Sequence, residues 1–298
     1  MEKHTTVLLQ ESVDGLNLST RDVAIDATVG QGGHALLMAH QVGPTGTVLM
    51  LDADETSLAA AKATVEGAPA HLIFVHGNFR NIKEHAERAG VTSADAIIFD
   101  LGWHQGQIMS GRGFSFREDA PLIMTLTAHA EAYQVTAADI IGNWDEDDLA
   151  TLFREYGGER FAGRIARVIA ETRRVKPIKT SLQLADIIVS AVPASFRRGR
   201  IHPATKVFQA LRIAVNNELE SLTDGLKAAL QLLAPGGRVA VITFHSLEDR
   251  IVKTLFKEAV ERGEGTLVTK KPIVPSRAEQ KSNKRSRSAK LRIFEKHA

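Results

Sequence analysis

Val23-Ala24-Ile25-Asp26-Ala27-Thr28-Val29-Gly30-Gln31-Gly32-Gly33-His34 puts a glycine-rich turn directly behind a short apolar strand. The next apolar run, Val48-Leu49-Met50-Leu51, closes on Asp52. That is about 20 residues beyond the turn, the separation at which a carboxylate reaches a ribose. Glycines in such a turn let backbone approach a ligand with no Cβ in the way. Together they predict a nucleoside-containing cofactor at the carboxyl ends of parallel strands.

The flanking sequence keeps that rhythm. Residues 23–29, 47–52, 71–76 and 95–100 are short aliphatic or β-branched runs, each ending in a turn or an acidic residue. Ala59 to Val65 and Ile82 to Ala89 read as helices among them. Alternation at this spacing predicts a parallel sheet covered on both faces. After Asp100 the pattern breaks. Residues 103–120, rich in Gly, Gln and Ser, read as an extended loop, and residues 121–204 as helices without a strand. Within 160–174, Phe161, Ile165, Val168 and Ile169 share one helical face, while Arg160, Arg164, Arg167 and Arg174 share the other. A single long helix is predicted from about residue 205, carrying Phe208, Leu211, Val215, Leu219, Leu222, Leu226 and Leu230 on one side. Ala234-Pro235-Gly236-Gly237 stops it. Arg238 to Phe244 reads as a buried strand, 270–288 as a Pro-, Lys- and Ser-rich linker, and Leu291 to Phe294 as a last strand. The expected organisation is a discontinuous sheet domain, residues 1–104 and 205–298, with a helical insertion at 105–204.

Composition narrows the chemistry. The 298 residues are 44% apolar, enough for an ordinary core. No apolar run approaches the ~18 residues a membrane span needs. The first residues lack the basic flank and apolar stretch of a signal peptide, so a cytoplasmic location without membrane contact is expected. There are no cysteines. Disulfides, cysteine-ligated zinc or iron–sulfur centres and thiolate nucleophiles are therefore excluded. With them go zinc-dependent base deaminases and base modification by cysteine attack. His34 and His245 have no ligand-spaced partners, so no metal is expected. The net charge of +2 hides a strong asymmetry: residues 160–212 hold 12 Lys/Arg against 2 Asp/Glu, and residues 270–298 hold 10 against 2. Solvated helix faces would account for one such run; two beside a cofactor turn point to a polyanionic substrate.

Gly30-Gln31-Gly32 with Ala35 meets the loose dinucleotide pattern, which does not separate a nicotinamide dehydrogenase from a methyltransferase using S-adenosylmethionine. Asp100 ends the fourth strand, at the sheet edge where ligands bind in open α/β folds; a helix-capping carboxylate is the alternative. Phe79, in His76-Gly77-Asn78-Phe79, could stack on an adenine or simply belong to the core.

Longer strings carry a resemblance over nearly the whole chain. They are His4-Thr5-Thr6-Val7-Leu8-Leu9, Asp26 to His34, Gly111-Arg112-Gly113-Phe114-Ser115-Phe116-Arg117 and Tyr156-Gly157-Gly158-Glu159-Arg160-Phe161-Ala162. His202 to Arg212, Phe244-His245-Ser246-Leu247-Glu248-Asp249-Arg250 and Arg287-Ser288-Ala289-Lys290-Leu291-Arg292 complete the set. In these the chain resembles the bacterial 16S ribosomal RNA (cytosine-N4)-methyltransferases, the RsmH or MraW family. The resemblance implies a Rossmann-like α/β methyltransferase sheet with an inserted all-helical substrate-recognition domain, and S-adenosyl-L-methionine as cofactor. It implies a cytidine of small-subunit ribosomal RNA near the P site, free or in an assembled small subunit, as substrate. Gly32, Gly33 and His34 match the family's cofactor loop, Asp52 its ribose-holding residue, and Phe79, Asp100 and Gln107 further cofactor-pocket positions. Two strings depart from the family's usual pattern. Trp103-His104-Gln105-Gly106-Gln107 replaces Val-Ser-Ser-Pro-Gln, and Pro121-Leu122-Ile123-Met124-Thr125-Leu126 replaces Pro-Leu-Asp-Met-Arg-Met. Both lie in or just after the loop expected to meet the target base. A non-catalytic ribosome-assembly factor that keeps cofactor and RNA binding is therefore a second reading. The oligomeric state, a homodimer included, is left open.

The chemistry assigns roles. A cytosine N4 amine is a weak nucleophile because its lone pair is delocalised into the ring. It needs in-line placement and acceptors for its protons; Asp100, helped by backbone carbonyls of residues 101–103, is the expected acceptor. The base must leave its stack, and basic side chains offset that cost through phosphate attraction. Arg197, Arg198 and Arg200, with Arg287 and Lys290 in the Lys281-to-Arg292 segment, are the expected RNA contacts. Trp103 could stack on the flipped base or on the cofactor, or pack within its loop.

Overall fold

The computed structural model describes residues 5–102, 111–126, 134–197, 199 and 201–298. The chain divides into two compact units, Met1–Gly102 with Leu219–Ala298, and Trp103–Glu218.

The first unit is built on seven strands: β1 (Val23–Asp26), β2 (Thr47–Asp52), β3 (His71–His76), β4 (Ala94–Asp100), β5 (Leu233–Thr243), β6 (Gly265–Leu267) and β7 (Lys290–Lys296). Their order across the sheet is β3-β2-β1-β4-β5-β7-β6. The first five run parallel, and β7 is antiparallel to both its neighbours. Side chains of period two divide cleanly between two cores. Ala24, Val48, Met50, Ile98 and Ile242 meet the helices Leu9–Leu16, Gly33–Val42 and Glu55–Thr64 on one face. Ile25, Leu49, Leu51, Ile97, Phe99 and Val241 meet Ile82–Arg88, Glu218–Leu232 and Ser246–Glu261 on the other. Burial on both faces is why these strands read as unbroken apolar runs. The chain leaves β1 toward β2 and β3 and returns on the other side as β4. The crevice between the ends of β1 and β4 is thus a topological switch point.

Several expectations need correction. The long helix from residue 205 is two helices, Ala204–Val215 and Glu218–Leu232. Its apolar spacing runs on across the break, but Asn217 takes a left-handed φ of 47°. The side-chain amide of Asn216 donates to the carbonyls of Met124 and Arg212 and accepts from the amide of Leu126. Asn tolerates the left-handed conformation better than β-branched residues do, so a polar pair inside an apolar stripe could have marked the break. The first of these helices packs within the second unit, through Val207, Phe208 and Leu211, rather than with the sheet. The supposed linker 270–288 holds a helix, Arg277–Ser282, and a 3-10 turn, Lys284–Ser288, with Ser286 fully buried. Leu8 donates its amide to Glu279, and Asn283 donates its side-chain amide to the Thr5 carbonyl, so this segment is bound to the start of the chain. Strand β6 has two exposed residues out of three and left no sequence signal.

The described part of the second unit is helical, with a single isolated bridge between Pro121 and Thr180. Phe153, Ile165, Ile169, Leu184 and Leu211 form its core. Ala162–Val175 buries Ala162, Ile165, Ala166, Ile169 and Ala170 and exposes Arg164, Arg167 and Arg174, the amphipathic division expected from spacing. The Tyr156-Gly157-Gly158 string proves architectural. A Cβ on Gly157 would lie 2.8 Å from the Phe153 carbonyl oxygen and against that of Lys206, so two helices meet there backbone to backbone. Lys206 and Gln209 donate to the carbonyls of Gly158 and Tyr156 across the same contact.

Candidate active site

Three parallel strands each end on a carboxylate: Asp26 on β1, Asp52 on β2 and Asp100 on β4. Registry makes this a cluster. Asp26 lies level with Met50 on one side and Ile98 on the other, two residues short of Asp52 and Asp100. Asp52 accepts from the Gly30 amide through Oδ2 and from the Asp54 amide through Oδ1, both at 2.9 Å, which ties β2 to the glycine turn. The backbone amide of Asp100 donates to the Thr28 hydroxyl oxygen at 2.6 Å, and its Oδ2 lies 3.9 Å from Nδ1 of His34. Among the described residues its Oδ1 is buried without a hydrogen-bond partner. Asp26, 1% exposed, accepts from the Thr28 amide. Its Oδ2 makes no hydrogen bond of normal geometry, although the Ala35 amide lies near enough to favour the charged form.

Loss of water dominates the electrostatics. Burial pushes Asp26 up to about 7, with the Asp52 charge adding to it. Burial likewise pushes Asp52 to about 6 against the Asp54 and Gly30 amides. Asp100 rises to about 8 through burial and then through the Asp26 charge; Arg285 opposes the rise. Arg285 keeps some contact with solvent, but desolvation of its head lowers its own pKa while Asp100 pulls it back up. Three carboxylates raised together, chiefly by burial, mark an edge short of water where the Arg285 charge offsets only part of the rise at Asp100. A ligand bearing hydroxyls and a cationic centre fits such an edge. S-adenosylmethionine has both, and the partnerless oxygen of Asp100 is an acceptor aimed at nothing in the described protein.

Of the expected site residues, Asp52, Asp100 and His34 converge here, with Gly32 and Gly33 beginning the adjacent helix. Gly32 is its N-cap at φ 84°. The need for glycine is only partly the one expected. A Cβ on Gly33 would fall on the Thr6 hydroxyl, and one on Gly32 would come 3.1 Å from the Ala61 Cα. The protein's own packing, not a ligand, excludes side chains there. Gly33→Ala should therefore destabilise by about 1–3 kcal/mol. Thr6→Ala in the same chain should recover most of that in a thermal melt, whereas a ligand-clearance role would leave Gly33→Ala unrescued. Phe79 lies in a 3-10 turn, edge-on to Phe99 at 5.6 Å, with its carbonyl at 2.7 Å from where a Gly225 Cβ would be. It packs between β4 and the helix Glu218–Leu232. Trp103, Gln107, Arg198 and Arg200 lie outside the described residues. His245 caps the helix Ser246–Glu261 in a reciprocal box with Glu248. Sequence reasoning passed over Asp26, hidden inside an apolar strand, and Arg285, hidden in an apparent linker.

The expected RNA contacts differ in freedom. Arg287 is exposed. Lys290 donates to Asp249 at 2.8 Å beside Arg292, which does the same. Burial raises Asp249, but these two bonds outweigh it and hold the carboxyl low. Arg197 gives its guanidinium to the carbonyls of Val192 and Ser190 at the end of the helix Ser181–Ala191.

Similarity to solved structures extends along the chain at low identity. A Clostridium thermocellum protein assigned as an rRNA-methylase is 12% identical, with 99% of each chain covered and a TM-score of 0.49. NSun6 from Pyrococcus horikoshii, solved with SFG, is 12% identical over 99% of this chain and 53% of its own, with a TM-score of 0.48. A SAM-dependent O-methyltransferase from Thermotoga maritima is 11% identical over 100% of this chain and 69% of its own, with a TM-score of 0.45. A doubly wound sheet with one reversed strand and a carboxylate-lined switch point is a Rossmann-like arrangement, the class in which S-adenosylmethionine-dependent methyltransferases are found. The pattern of one family matches residues 1–297, and the chain belongs to it: the MraW methylase family. Membership removes the nicotinamide reading. Among the described residues no helix is long and apolar enough to cross a membrane.

Proposed function

We propose that the protein methylates the exocyclic N4 of a cytidine in small-subunit (16S) ribosomal RNA near the P site, in the cytoplasm, on free RNA or an assembled small subunit. The observation that carries this is the partnerless, buried Oδ1 of Asp100 beside the glycine turn. When bound, S-adenosylmethionine supplies an electrophilic methyl on a cationic sulfur. Asp52 accepts hydrogen bonds from the ribose hydroxyls, using lone pairs left by the Gly30 and Asp54 amides. Gly32, Gly33 and His34 wall the cofactor. Asp100 accepts an N4 proton as the new N–C bond forms and the S–C bond breaks, which restores the lone pair that the ring had withdrawn. Exclusion of water at this edge strengthens that interaction. Exposed Arg287 of the last segment, together with Arg198 and Arg200 of the insertion, would meet phosphates, whereas Arg197 and Lys290 are already engaged within the protein.

Incubation of the protein with labelled S-adenosylmethionine and undermethylated small subunits tests this directly. Labelled N4-methylcytidine, recovered by nucleoside mass spectrometry, is the expected product. RNA binding without label would instead establish the assembly-factor reading, which the altered Trp103–Gln107 string favours. Label on another atom would overturn the N4 assignment.

A further inference from the structure

A phenylalanine ring of the second unit stands in water where a core position would be expected. Phe196, on the short helix Ala194–Arg197, is 47% exposed. Its ring meets Phe161 edge-on, with centroids 5.0 Å apart. The guanidinium of exposed Arg160 lies over both rings, 5.4 Å from the centre of Phe196 and 5.7 Å from that of Phe161. The helix that carries Phe196 is held in place, because the Arg197 side chain bonds the carbonyls of Val192 and Ser190. A half-exposed ring forgoes much of the stabilisation that burying it would bring. Here the exposed ring is braced by a second ring and a planar cation, and Ile201, 58% exposed, follows closely in sequence.

We propose that Phe196, Phe161 and Arg160 form a stacking platform for an unpaired base of the RNA substrate, separate in role from the methyl-accepting cytidine. Three features favour RNA over a protein partner. The segment 160–212 that carries the platform holds 12 Lys/Arg and 2 Asp/Glu, so its field attracts a polyanion. An aromatic face next to an arginine plane matches base stacking with a phosphate close by, and it tolerates any sequence because every base has a π-face. A protein interface of the usual kind would need a larger apolar patch than one ring and its neighbour. The proposal rests on the RNA reading above but makes its own claim about which residues hold the strand.

Binding of the 298-residue chain to undermethylated small-subunit RNA distinguishes the two partners. Phe196→Leu keeps apolar volume against Phe161 but loses the ring. It should weaken RNA binding by about 5- to 150-fold, the span for losing one stacked base. The salt dependence of binding should stay unchanged, because no phosphate contact is removed. The loss should appear in KM for RNA and not in kcat, with S-adenosylmethionine affinity unaltered. Phe196→Trp should bind as well as the parent or better. Arg160→Gln should weaken binding and also make the salt slope shallower. If Phe196→Leu binds RNA like the parent, the platform is wrong while the RNA reading stands. If Phe196→Leu instead lowers the sedimentation coefficient of the free protein with RNA affinity intact, the ring serves self-association and the proposal fails. If the parent itself binds no RNA, the functional reading fails first.

Discussion

Asp100→Asn should cut the rate of methyl transfer by about 10²–10⁴-fold, the usual worth of a positioned general base. Asparagine keeps the shape and a carbonyl acceptor, so S-adenosylmethionine affinity by calorimetry should fall far less than the rate. In this proposal the same carboxylate should set the pH profile. Its reactive form is the anion, and burial has raised its pKa to about 8. In the parent, kcat/KM, which reports groups of the free enzyme, should climb about tenfold per pH unit below that value and level off above it. The Asn variant should give a flat line. A variant with parental rate, or a parent whose rate falls as pH rises through 8, would remove Asp100 from the chemistry. Arg285 modulates the same group from the 3-10 turn Lys284–Ser288, since its charge opposes the rise.

A comparably large effect is expected in stability. In the unfolded chain Asp26, Asp52 and Asp100 ionise near 3.8, but the folded protein holds their protons up to about 7, 6 and 8. Between those limits the folded state binds more protons than the unfolded one, so stability falls as pH rises. Below about 4 both states are protonated and the loss vanishes; above about 8 it has reached its full size. Asp26→Asn should therefore stabilise the ligand-free protein at pH 8.5 by about 2–4 kcal/mol, because each tenfold gain in proton affinity on folding is worth about 1.4 kcal/mol. Well below the unfolded value, at about pH 2.5, it should do nothing. Thermal melts across that range read this directly, and a variant less stable at pH 8.5 than the parent would contradict a strained carboxylate cluster. A cationic ligand lowers all three pKa values, so S-adenosylmethionine binding near pH 7 should release protons. Calorimetry in buffers of different ionisation enthalpy would detect that release. The expected instability would come first from burial of the carboxylates and second from their mutual repulsion, both of which a cationic ligand would offset.

Range along the chain separates what could be read from sequence and what could not. The strand–turn–carboxylate pattern at Asp52 and Asp100 was legible because each is local: an apolar run, a glycine turn, an acid at the strand end. The four parallel strands before the insertion and the basic face of Ala162–Val175 were legible for the same reason. Strand pairing is not local. Nothing in Lys290–Lys296 says that it lies antiparallel between β5 and β6, and Gly265–Leu267 is too short and exposed to announce itself. The break at Asn216-Asn217 interrupts an apolar stripe that remains in phase; the polar pair is its one local signal, and the hydrogen bonds of Asn216 to Met124 and Leu126 fix it in place.

The sequence by itself determined the doubly wound class, the helical insertion, the glycine turn and two of the three acids, since those depend on periodicity and spacing along the chain. Tertiary structure alone decided that Asp26 joins them as a third, that Arg285 acts on them from an apparent linker, and that Gly33 is small because of Thr6. Each of these is a contact between residues far apart in sequence, and desolvation, which sets the carboxylate pKa values, exists only once the chain has closed around them.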